Sequence, residues 1–171
     1  MTDLRRFIRD VPDFPTPGIL FRDITPLLAS PEAFHAAVDA MVAPFRDARA
    51  GKVVGIEARG FMFGAAVARE LGLGFVPARK PGKLPGKTER VAYGLEYGSD
   101  ALEVHADAFS PGESVLIVDD VLATGGTSAA AAELVERLGA RVTALVFCIE
   151  LAALQGRSRL SGRPAHAVLV L

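Results

Sequence analysis

Cysteine is almost missing from this 171-residue chain, where Cys148 stands alone. A single cysteine excludes an internal disulfide and any cysteine-built metal cluster. Its place in an apolar run marks it as a small core residue. No segment supplies the roughly 18 consecutive apolar residues that a membrane-spanning helix requires. The opening, MTDLRRFIRDVPDFPTPG, carries charges and prolines where a secretory signal needs an apolar stretch, so a cytoplasmic location is expected. Net charge is nearly absent too, at −1 with a pI near 6.3. No global field draws the chain to nucleic acid or to an anionic membrane, so any anion site must come from local cations. A GxGxxG dinucleotide string is lacking, and His35, His105 and His166 show no metal spacing and suit surface positions.

Half of the residues are hydrophobic, which at this length fits one domain, residues 1–171, with a substantial core. Ser30-Pro31 reads as a capping hydroxyl before a proline at the first helical position. Phe34, Val38, Met41, Val42 and Phe45 then recur at helical spacing as a core stripe. Lys52–Ile56 reads as a strand and Phe61–Leu71 as a helix, and Phe75–Ala78 as another strand. RKPGKLPGKTERVAYGLEYG, rich in Gly, Pro, Lys and Arg, follows as a mobile loop or hairpin. Leu102, Val104 and Ala106 alternate with Glu103, His105 and Asp107 as in a half-buried strand, which turns Glu103 outward. Arg141–Ile149 and Ala167–Leu171 complete the strands. Strands alternating with helices predict an α/β fold with an open, mostly parallel sheet flanked by helices, whose ligands bind at the carboxyl ends of the strands.

The chemistry concentrates in VLIVDDVLATGGT, residues 115–127. Val115–Val118 predict a buried strand, with Asp119 and Asp120 following it. Then come Thr124-Gly125-Gly126-Thr127 and a helix. Backbone N–H groups at a helix start, reached past two glycines and joined by two hydroxyls, make a phosphate cradle. Two acids beside it would repel a bare phosphate unless they accept hydrogen bonds from sugar hydroxyls or help to hold a cation, so the expected ligand is a sugar phosphate. Gly82–Thr88 imitates a Walker A loop, but its first glycine is one residue too close to Gly-Lys-Thr, a proline interrupts it, and no amphipathic helix follows. Arg79, Lys80, Lys83 and Lys87 instead suit a lid over a pyrophosphate. Arg59, at a strand end before a glycine and a helix, can hold phosphate oxygens, whereas Glu57 reads as a helix cap. Phe21 lies among prolines outside any clear helical or strand pattern.

The 115–127 string resembles the 5-phosphoribosyl-1-pyrophosphate (PRPP) motif of the type I phosphoribosyltransferases, and FPTPGILFRDITP resembles the N-terminal signature of the adenine phosphoribosyltransferases. EARGFMFG, RKPGKLPG with YGLEYG, and IELAALQGRSRL extend the likeness over nearly the whole chain. The C-terminal HAVLVL departs from the family's usual aromatic, serine-containing ending. The resemblance implies the type I phosphoribosyltransferase fold, with an N-terminal base-binding hood over about residues 1–30 and a flexible lid over about 79–98. It implies that Asp119 and Asp120 approach the ribose hydroxyls while Ala123, Thr124, Gly125, Gly126 and Thr127 hold the 5-phosphate. Glu57, Ala58, Arg59, Arg79, Lys80 and Lys83 fall on the pyrophosphate side. Leu20, Phe21, Arg22 and Leu151 fall on the adenine side, and Glu96 with Tyr97 closes over the base, Glu96 as proton shuttle and catalytic together with Arg59. The implied reaction is AMP synthesis from adenine and PRPP, releasing pyrophosphate in purine salvage. The resemblance also implies Mg²⁺ held mainly by PRPP and water rather than by a protein cage, and a homodimer. The alternatives are a PRPP-sensing regulatory domain and an enzyme of the same fold acting on hypoxanthine, guanine or orotate. The chain carries no appended DNA-binding helices for the first, and the Phe21 segment opposes the second.

Overall fold

A computed structural model of the protein describes residues 2–94 and 99–171. The chain divides into two units, Met1–Ala40 and Met41–Leu171. In the first, β1 (Arg9–Pro12) and β2 (Leu20–Asp23) form an antiparallel hairpin in which Val11 faces Phe21 and Pro12 faces Leu20. Phe21 is thus a strand residue, contrary to the reading of it as patternless. Its ring meets that of Phe14 edge-on, with centroids 5.0 Å apart. The helices α1 (Thr25–Ala29) and α2 (Pro31–Val42) follow, and α2 opens as its sequence predicts, with the Ala33 N–H donating to Ser30 Oγ at 3.2 Å.

The second unit is built on β3 (Lys52–Ile56), β4 (Gly74–Ala78), β7 (Ser114–Leu122), β8 (Arg141–Glu150) and β9 (Ala165–Val170). They make a parallel five-stranded sheet in the order β4-β3-β7-β8-β9. Helix α3 (Gly60–Leu71) connects β3 to β4, and α4 (Gly126–Arg137) connects β7 to β8. The central strands read as continuous apolar runs because both faces are covered. Val115, Leu116, Ile117 and Val118 of β7 and Leu145, Val146, Phe147 and Cys148 of β8 are all fully buried. Burial pushes the Cys148 thiol up to about 12, so it stays protonated and packs as a small hydrophobe. Together these strands and helices supply the mostly parallel α/β architecture expected of the sequence.

Between β4 and β7 lies a separate antiparallel hairpin, β5 (Thr88–Gly94) with β6 (Ser99–His105). Thr88 therefore begins a strand, where a Walker A loop would begin a helix. Glu103 corrects the expectation that it points outward. It is buried and accepts the Gly82 N–H at 3.2 Å, while its backbone exchanges hydrogen bonds with Arg79 at 2.9 and 2.7 Å. Alternation alone misses this, because the covering Arg79–Gly82 segment is more than 20 residues away in sequence. Among the described residues, no helix is long and apolar enough to cross a membrane.

Candidate active site

The acid pair does not follow β7 but lies within it. The strand continues to Leu122, with Asp119 beside Phe147 and Leu122 beside Glu150 of β8. Both carboxylates are therefore buried. The Asp120 N–H donates to Asp119 Oδ1 at 2.9 Å. Desolvation and the neighbouring Asp120 charge both push the Asp119 carboxyl well above the usual carboxylate range. At Asp120, Oδ2 makes no hydrogen bond, yet Arg59 Nε stands 2.7 Å away. That contact is an ion pair whose N–H is not aimed along it.

Arg59 is the N-cap residue of α3, so it is the strand-to-helix junction after β3 that delivers the cation to β7. Gly60 makes the approach possible. A methyl group there would fall 2.6 Å from Asp119 Oδ1 and 3.0 Å from Val118 O, inside van der Waals contact. Glu57 is not the helix cap expected of it. Its carboxylate pairs with Arg79 Nε and with Lys83 Nζ, both at 2.8 Å, and its side chain is only 5% exposed. Burial raises the Glu57 pKa, but the hydrogen bonds from Lys83, Arg79 and the Lys80 backbone outweigh it, and the net shift is downward. Lys80 pairs with Asp100 of β6 at 2.8 Å, which raises the lysine pKa and lowers that of the acid. The four cations expected on the pyrophosphate side, Arg59, Arg79, Lys80 and Lys83, are thus each answered by a carboxylate.

Past β7 the chain turns through Ala123 and Thr124 to Gly125, whose φ of 82° lies in the left-handed region that glycine tolerates. Gly125 caps α4 without a side-chain hydrogen bond, so the first turn, beginning at Gly126 and Thr127, directs backbone N–H groups outward with no residue-borne cap. Burial pushes the Tyr93 phenol of β5 up, and Thr127 and Asp100 stand near enough to influence it. Asp119, Asp120, Arg59 and the loop into α4 converge on the carboxyl end of β7. Leu151 follows β8, where its N–H donates to Leu122 O at 2.9 Å. Leu20, Phe21 and Arg22 belong to the Met1–Ala40 unit, where Arg22 pairs with Asp10. Glu96 and Tyr97 lie outside the described residues. Asp100 carried no periodic or motif signal, Tyr93 stood out only as part of YGLEYG, and Glu103 only in the alternation that turned it outward. Their link to the site arises only when the β5–β6 hairpin meets α4 and the segment after β4.

A parallel sheet with paired acids at a strand end, leading directly into a glycine-opened helix, is the architecture of a phosphoribosyltransferase. The phosphoribosyl transferase domain family matches residues 28–168. The adenine phosphoribosyltransferase of Carboxydothermus hydrogenoformans is 60% identical over 94% of this chain and 95% of its own. That of Methylococcus capsulatus is 58% identical over 99% of both. The crystal structure of adenine phosphoribosyltransferase from Rhodothermus marinus superposes with a TM-score of 0.94 at 54% identity, over 98% of this chain and 96% of that one. The Saccharomyces cerevisiae enzyme, crystallised with an imino-altritol bisphosphate and adenine, gives 0.90 at 44% identity over 95% and 94%. The chain belongs to the adenine phosphoribosyltransferase family.

Proposed function

We propose that the chain transfers the 5-phosphoribosyl group of PRPP to N9 of adenine, giving AMP and pyrophosphate, as a cytoplasmic, homodimeric enzyme of purine salvage. The observation that carries the reading is the buried Asp119–Asp120 pair, joined to Arg59 and running straight into the uncapped start of α4. Asp119 and Asp120 accept the ribose hydroxyls, and the Ala123–Thr127 loop takes the 5-phosphate through its backbone donors. Breaking the anomeric bond leaves positive charge on the ribose and negative charge on the departing pyrophosphate. Arg59, Arg79, Lys80 and Lys83 answer the latter, trading their present carboxylate partners for phosphate oxygens. Glu57 and Ala58 shape the loop that presents Arg59.

The donor set suits a hard cation without caging it. No cluster of three or more His, Cys, Asp or Glu occurs among the described residues, yet Asp120 Oδ2 is buried without a hydrogen bond. Mg²⁺ held mainly by PRPP oxygens and water, near Asp119 and Asp120, would neutralise pyrophosphate charge. For the base, the family likeness assigns apolar faces to Phe21 and to Leu151, and recognition of its edge to the backbone of Leu20, Phe21 and Arg22. A carbonyl there accepts the exocyclic amine of adenine, whereas the oxo group of hypoxanthine would confront it with no donor. Glu96 takes the ring proton shed as the glycosidic bond forms, and Tyr97 closes with it. The family likeness supports these two roles.

The decisive experiment offers PRPP and Mg²⁺ with adenine, hypoxanthine, guanine, xanthine or orotate, and follows the nucleotide formed. AMP from adenine alone is expected, and PRPP binding without AMP formation would favour a sensing domain instead. Glu96→Gln should lower kcat by at least tenfold, on the scale of lost general acid–base catalysis, with PRPP affinity nearly unchanged. An unaltered kcat would remove Glu96 from the chemistry. Sedimentation tests the homodimer.

A further inference from the structure

We infer that Arg159 is a further phosphate-binding side chain of this site, a guanidinium that grips the 5-phosphate alongside the backbone donors at the start of α4. The inference rests on the function proposed above. Three arginines follow β8 within a few residues of one another, and two are already committed. Arg157 donates from Nε and Nη2 to Glu150 at 2.7–2.9 Å and from Nη1 to the Ala165 carbonyl at 2.8 Å. Arg163 donates from Nε and Nη2 to the two oxygens of Glu136 at 2.8 and 2.7 Å. Arg159 is exposed and has neither an ion pair nor a hydrogen bond among the described residues.

Its position explains why that matters. A methyl group on Gly126 would meet Arg159 Nη1 at 3.4 Å, and one on Gly125 would meet Arg159 Cβ at 3.3 Å. The guanidinium therefore lies against the first turn of α4, beside a cavity of about 300 Å³ lined by Tyr93, Gly94, Gly126, Glu133 and Arg159. The start of a helix is its positive end, where a cation is unfavourable unless an anion joins it. Glu133, the one carboxylate lining that cavity among the described residues, is engaged by Arg137 at 2.6 Å. Gly126, the first residue of α4, and a guanidinium without a carboxylate partner among the described residues thus border the same space, where a phosphate would meet both the helix start and the cation. Arginine suits the task because its fork spans two phosphate oxygens, which a lysine ammonium does not.

Arg159→Gln should raise KM for PRPP about tenfold, the scale of one charge-assisted hydrogen bond. KM for adenine and the melting temperature should stay near the parent values, since Arg159 has no ion pair or hydrogen bond to lose among the described residues. Titration calorimetry separates the two ends of the donor. Ribose 5-phosphate should bind Arg159→Gln about tenfold more weakly and pyrophosphate as before, with Arg159→Lys recovering part of the loss. Unchanged ribose 5-phosphate affinity, or an equal loss for pyrophosphate, would overturn the assignment while AMP synthesis by the parent still stood. A parent that binds no PRPP would overturn the functional reading and this inference together.

Discussion

Gly125→Ala should lower kcat/KM for PRPP by at least a hundredfold and the melting temperature by roughly 5–15 °C, equivalent to about 2–4 kcal/mol in a domain of this size. Two costs add. Gly125 has φ of 82°, where an alanine loses about 1–2 kcal/mol per residue. Its Cβ would also fall 2.3 Å from the Gly156 carbonyl oxygen and 3.1 Å from the carbon. Backbone cannot turn aside as a side chain does, and Gly156 has little room to withdraw, because a methyl group on it would lie 2.2 Å from Ala123 O. The strain must be relieved by moving the Ala123–Gly125 turn, and with it the donors proposed to meet the 5-phosphate. Gly139→Ala is the control. Gly139 has φ of 81° with nothing within 4 Å of the added methyl, so it should lose the conformational part of the stability and keep its kcat/KM. Matching kinetics in the two variants would mean that contact with Gly156 does not set the cradle.

The parts legible from sequence are those where local pattern and tertiary surroundings agree. β3 was readable to the residue because a buried parallel strand is a short apolar run, and α3 and β4 were readable to within one. The start of α4 was readable because Thr124-Gly125-Gly126-Thr127 joins a glycine turn to a helix, and Gly125 is indeed its N-cap. Misreadings fall where a distant partner overrides the local signal. Paired acids look like a turn, yet Asp119 and Asp120 stay in β7 because β8 pairs alongside as far as Glu150. Phe21 looked patternless because β1 and β2 are four-residue strands whose mostly exposed or half-buried residues alternate in no clear way. Glu57 reads as a helix cap and Glu103 as an outward strand acid until Arg79, Lys83 and the Gly82 N–H arrive from the segment after β4. The charge pairing within the site is a tertiary property, and no spacing rule foretells it.

Burial of the acid pair sets stability against function, and Asp119→Asn should expose the conflict. In the folded protein, desolvation and the charge of Asp120 raise the Asp119 pKa above its unfolded value. The folded state therefore holds its proton more tightly, and the stability this contributes is complete below about pH 3.9 and is lost as pH rises through the folded pKa. Asparagine never ionises and so never incurs that loss. Its melting temperature should exceed the parent's by roughly 2–8 °C at pH 7, the scale of ~1–2 kcal/mol. The gap should narrow as pH falls toward 4, where the parent carboxyl is protonated as well. The Oδ1 acceptor for the Asp120 N–H is retained by the amide oxygen, so the substitution needs no rearrangement of β7. Binding should move the other way. A ribose hydroxyl that donated to a carboxylate would face an amide, and PRPP affinity should fall about tenfold to a hundredfold, as expected for a hydrogen bond to a charged group. Thermal melts from pH 4 to 8, paired with PRPP titrations, read both effects on the same two proteins. An unstabilised variant would mean that ionised Asp119 is compensated in the folded chain, through Arg59 or otherwise. Unchanged PRPP affinity would separate this carboxylate from the ribose, whereas greater stability with weaker binding would mark Asp119 as a charge kept at the expense of the resting fold for its contact with substrate.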